Sequence, residues 1–136
     1  MADITITQAN LIPAADGLFN VGIAGEALLA GAPIWWNSAT GSWWNSEADS
    51  GVADARLAQA IAMNAVSAGQ VIGFQCGGAL AFGAILTPGT PYYVSKNSGR
   101  IAPLADLAGG NAFLIGIART SSIMDLVFRN SGGTVA

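Results

Sequence analysis

The chain has no histidine, one cysteine and five cationic side chains among its 136 residues. Without histidine it can build neither a Ser-His-Asp nor a Cys-His nucleophile system, and no His-ligated metal site. The single Cys76 cannot close an internal disulfide and leaves a structural zinc site out of reach. Arg56, Lys96, Arg100, Arg119 and Arg129 are scattered and the formal net charge is −3, whereas phosphate binding needs clustered cations, so no nucleic-acid partner is expected. Walker loop, nucleophile elbow and dinucleotide fingerprint are all missing. The 39 residues between Arg56 and Lys96 carry no charge, but Gln59, Asn64, Gln70 and Gln75 interrupt them. No run of ~20 apolar residues exists, so no membrane span is expected, and the small-residue spacing of Gly69, Gly73 and Gly77 is incidental in so glycine-rich a stretch. Met1–Thr7 lacks the basic and apolar regions of a signal peptide.

What is present is apolar. Hydrophobic residues make up 52% of the chain and charged ones only 10%, against ~25% in an ordinary soluble domain. A chain this poor in charge is expected either to hide surface against copies of itself or a partner, or to be a monomer coated with Ser, Asn, Thr and Gly. Its length suits one domain. The eight carboxylates fall mostly in expected turns; Glu47, Asp49 and Asp54 form one acidic cluster, read as a solvated loop because the spacing and glycine of an EF-hand are missing. By inventory alone Glu26 could meet Asp49 or Asp54 as a glycosidase pair, but no group is activated, and neither an enzyme nor a cofactor is expected. Cys76, among glycines and apolar residues, is read as a small buried hydrophobe.

Local grammar predicts strands throughout. Ile4 and Ile6 alternate with Thr5 and Thr7 as a half-buried strand; Ala14-Ala15-Asp16-Gly17 is a turn, and Leu18 to Ile23 forms a second strand. In Leu86-Thr87-Pro88-Gly89-Thr90-Pro91-Tyr92-Tyr93, Pro88 and Gly89 fit the two central positions of a type II turn and a strand follows, with Lys96-Asn97-Ser98-Gly99 turning back into Arg100-Ile101. The same pattern of turn and strand entry occurs in Leu28-Leu29-Ala30-Gly31-Ala32-Pro33-Ile34-Trp35 and Val66-Ser67-Ala68-Gly69-Gln70-Val71-Ile72-Gly73, at intervals of 38 and 20 residues. Unequal spacing marks a recurring local device rather than a solenoid. Ala53 to Val66 fits helix by propensity and strand by alternation. Val71 to Leu86, dense in glycine, suits bent, bulged strands; Pro103 to Asn111 reads as a loop, Ala112–Ala118 as a buried strand and Ile123–Phe128 as the closing strand. Ser131 onward reads as a tail that only a partner would order.

Two tryptophan pairs stand out. Pro33–Asn37 and Ser42–Asn45 flank Ser38-Ala39-Thr40-Gly41, predicting a hairpin in which Trp36 faces Trp43 and Trp35 faces Trp44. Alternation sends one pair to the core and the other outward. The outward pair has three readings: a stack under a loop of the same chain, a protein interface, or a platform for a sugar.

Taken together, Gly25–Trp35, Ala60–Val71, Leu86–Ser95, Gly99–Pro103 and Ile115–Ala118 give the chain, over roughly residues 20 to 130, a sequence that resembles the small capsid decoration, or cement, proteins of tailed bacteriophages and a related module of other phage structural proteins. The resemblance implies a single all-β domain over residues 1–136, a small antiparallel β-sandwich or jelly-roll-like barrel, with Ala60 to Val66 as a strand. It implies a structural virion protein on the outer capsid surface that stabilises the shell, its partners being the major capsid protein and itself, as dimer or trimer, with no cofactor. The segments at about residues 1–15 and 131–136 would then be ordered in the assembly. The contact candidates are Trp35, Trp36, Trp43, Trp44, Tyr92 and Tyr93. The alternative is a carbohydrate- or host-binding module of a phage fibre that uses exposed tryptophans.

Overall fold

The computed structural model describes residues 3–13 and 16–135; Ala14 and Ala15 of the expected Ala14–Gly17 turn and the first two residues lie outside them. Among the described residues ten strands form: β1 (Ile12–Pro13), β2 (Leu18–Ile23), β3 (Pro33–Asn37), β4 (Ser42–Asn45), β5 (Ala60–Ala62), β6 (Val71–Ala81), β7 (Pro91–Val94), β8 (Ile101–Pro103), β9 (Asn111–Ala118) and β10 (Ile123–Thr134). They make one antiparallel sheet in the order β4-β3-β5-β6-β10-β9-β7-β8, with β1 and β2 along the other edge of β6. The fold is all-β, and the sheet curls into a half-barrel.

Strand β6 serves both halves of the sheet. Its first part lies between β2 and β5, its last part between β1 and β10, and Gly78 (φ +79°) stands at the change-over. Buried Gln75 bridges the bend, its Nε2 donating to the carbonyls of Gly77 and Ala79 at 2.9 Å each. One core (Ile61, Leu80, Phe82, Tyr92, Val94, Ile101, Leu107, Phe113, Ile115, Met124) fills one half, and a smaller one (Ala24, Leu28, Ile34, Ala62, Ile72, Phe74) fills the other. Gln75→Ala removes both bonds, one to a buried and one to a part-buried carbonyl, and opens a cavity, for an expected loss of ~2–4 kcal/mol. A urea titration reads it as a lower midpoint at unchanged slope; a loss within error of zero would mean that the bend holds without its side-chain bridge.

The recurring turns are one device. In each, the N–H of the fourth residue reaches the carbonyl of the first (Ala32 to Leu29, Gln70 to Ser67, Thr90 to Thr87), and the third residue is a glycine at φ +79° to +87°. The residues before those glycines (Ala30, Ala68, Pro88) keep negative φ, which makes the turns type II. Each glycine N–H also bonds the end of a neighbouring strand: Gly31 to Ala62, Gly69 to Ala24 and Gly89 to Ala118, with a return bond from each alanine. The first two copies face each other. Leu28 and Val66 exchange both backbone bonds, and the turn bond and the bonds between residues 24–32 and 62–70 each have a counterpart 38 residues on, so the small core lies under a local two-fold.

The structure departs from the sequence reading in several places. A fourth copy of the turn, Leu107 to Gly110, lies in the segment read as a loop: Gly109 (φ +85°) bonds the Val135 carbonyl and Val135 bonds back to Gly110. That pairing makes residues 131–134 the end of β10 instead of a tail, after a bulge where Phe128 adopts φ +50°. Residues 60–66 are strand only over Ala60–Ala62, behind a 3-10 turn at Ala53–Arg56. Cys76 is exposed, not buried, because it is the extra residue of the bulge at which Leu18 faces Gly77 and Phe19 faces Gln75. Residues 3–7 form no ladder, yet Ile4 and Ile6 pack on the larger core, Ile4 bonds the Ile101 carbonyl, and Asp3 accepts from Ser95 Oγ (2.6 Å) and Asn97 Nδ2 (2.9 Å).

Candidate interaction surface

The tryptophan hairpin has the expected register, Trp35 opposite Trp44 and Trp36 opposite Trp43, around the loop Ser38–Gly41. It is held down from outside. Glu26 Oε2 accepts the Asn45 N–H (2.9 Å), Asn45 Nδ2 donates to the Ala27 carbonyl (3.1 Å), and Gly25 N–H bonds the Trp43 carbonyl (2.8 Å).

Division of the indoles into an inward and an outward pair does not hold. Trp35 is 8% exposed, with its Nε1 donating to the Asn45 carbonyl at 3.1 Å. Trp44 is half-buried over Gly25, and its Nε1 lies 3.0 Å from Ser42 Oγ and 3.1 Å from Thr40 Oγ1. On the other face Trp43 packs against the smaller core, 4.4 Å from the Phe74 ring, and sits over Gly22, where a methyl group would lie 2.6 Å from its Nε1. Trp36 tilts on Trp43 at 5.6 Å and is 40% exposed. Trp43 takes the place beside Phe74 and leaves Trp36 outside it, while Gly25 lies against the Trp44 ring on the other face. Tyr92 is also a core residue, 3% exposed, with its hydroxyl accepting the Thr87 N–H, while Tyr93 is half-buried. Of the six candidates only Trp36 presents a broad apolar face to solvent.

A larger apolar surface was not singled out from sequence. Leu18, Phe19, Val21 and Ile23 of β2 and Val71 of β6 are between 44% and 67% exposed. The residue types announced a strand, and the same types would suit a core; depth depends on what lies across the strand, which no local pattern encodes. Elsewhere an open polar depression of about 370 Å³ lies beside Asp3, Ser95, Asn97 and Arg100. On the outer side of β9 and β10, Arg119 pairs with Asp125, whose hydrogen bond first and charge second hold the guanidinium further toward its charged form. This exposed pair adds little to stability. Among the described residues no three Cys, Asp or Glu side chains gather to hold a metal ion, and no helix is long and apolar enough to cross a membrane. No protein-family model matches the chain, and no curated protein matches its sequence significantly.

Proposed function

We propose that this protein is a structural component of a virion. It coats the outside of a tailed-phage capsid and stabilises the shell by bridging neighbouring copies of the major capsid protein. The order of turn and strand blocks that resembles decoration proteins supports the reading, and the observation that carries it is Trp36, an indole fixed on Trp43 and turned to solvent. An exposed indole held by a second one loses little freedom on binding, which is what an interface anchor needs. A ligand that binds only the assembled shell adds its contact free energy to the shell's own, and many copies on a lattice multiply a modest contact. Low charge keeps the desolvation cost of such contacts small.

Co-sedimentation with undecorated capsids tests this. Wild-type protein is expected to saturate the shell at a fixed copy number, and Trp36→Ser to bind at least ~10-fold more weakly with a melting temperature lowered by no more than ~5 °C. Wild-type protein that ignores capsids defeats the reading. The same indole also suits a sugar ring, so quenching of tryptophan fluorescence by glycans, without capsid binding, would assign the chain to carbohydrate- or host-binding instead.

A further inference from the structure

Strand β2 is an edge. One side pairs with β6; on the other, among the described residues, only its end is taken, where Ala24 bridges Trp43. The Ala24 N–H bonds Gln70 on the β6 side at 2.9 Å, so alternation points the N–H groups of Phe19, Val21 and Ile23 to the open side. Val21 N–H finds only its own neighbour there, Asn20 Oδ1 at 2.9 Å. Edges open to solvent are ordinarily guarded by lysine, proline or inward charges. Residues 18–25 contain none of these, and the nearest charges are Asp16 and Glu26.

We propose that this edge joins two copies of the chain, β2 to β2, antiparallel about a two-fold axis passing near Val21. Charge argues for a second copy over a foreign partner. A two-fold sets a segment against itself, so any charge on it would meet its like; an uncharged apolar strand is the kind that self-pairs without repulsion. Exposure argues the same way: Phe19, Val21 and Ile23 are between 44% and 67% exposed, and a two-fold contact covers the apolar side chains of both copies at once. Gly22, under Trp43, lies on the face of β2 opposite Phe19, Val21 and Ile23. The contact stands independently of the capsid reading.

Sedimentation equilibrium on the full chain tests it. Wild-type protein is expected at twice the 13.7 kDa chain mass, Val21→Lys and Phe19→Lys at the chain mass with wild-type near-ultraviolet dichroism, and Val52→Lys, an exposed valine elsewhere, as wild type. A wild-type monomer at every soluble concentration, a trimer, or both folded lysine variants remaining dimers would overturn the proposal. A dimer that ignores capsids would defeat the shell reading and leave this contact intact.

Discussion

Gly78→Val is expected to lower the melting temperature by ~10–20 °C, from a loss of roughly 3–5 kcal/mol. Two costs combine. Gly78 sits at φ +79°, where a β-branched side chain is strained, and a Cβ there lands on the backbone carbonyl oxygen of Asp16, which has no flexible end to swing aside. Relief requires the chain between β1 and β2 to move, and both strands pair with β6. Gly69→Ala separates the two costs: its φ is +85° but nothing lies within 4 Å of a Cβ, so only the backbone preference is lost, ~1–2 kcal/mol. Thermal melts of the two variants decide. If Gly78→Val costs no more than Gly69→Ala, the bend in β6 does not need its close contact with the β1–β2 connection.

That bend shows where sequence reading stops. A type II turn announces itself locally through a glycine at the third position and an apolar or Pro/Val strand entry, so Gly31, Gly69 and Gly89 were recognisable. The fourth turn was hidden because Gly109 is followed by Gly110-Asn111, which carries no apolar, Pro or Val strand entry. The end of β10 was hidden for a related reason. Ser131-Gly132-Gly133 has no strand propensity, and the segment is a strand because Thr134 faces Asn111 and Val135 bonds Gly110, contacts more than 20 residues distant in sequence. The tryptophan register followed from a four-residue loop, while the exposure of each indole followed from Gly22, Gly25 and Phe74, which only the fold brings there. Cys76 fails in the same way: a bulge reverses the expected facing, and glycine density indicates that a bulge exists without saying which residue it expels. Local backbone demands are thus written in the chain, whereas the surface available to a partner is a property of the curled sheet.

Trp43→Ala is expected to destabilise the protein by ~3–5 kcal/mol, and Trp36→Ala by less than ~1 kcal/mol, although the two residues are identical, adjacent and in contact. Trp43 is the wedge between Gly22, Phe74 and the hairpin, so its loss leaves an indole-sized cavity lined by ring and backbone, with the Ala24–Trp43 bridge beside it. Trp36 leaves only a solvent-facing gap and forfeits the tilted ring contact, worth ~0.5–1.5 kcal/mol in a favourable pair. Chemical denaturation of both variants and of the double variant measures the asymmetry and the coupling. Equal losses would show that the smaller core closes without Trp43, and Trp36 would then rest on no rigid support. With the asymmetry found, the indole proposed as the contact anchor is the one whose removal the fold tolerates, so a binding defect in Trp36→Ser can be read as lost contact and not as lost structure.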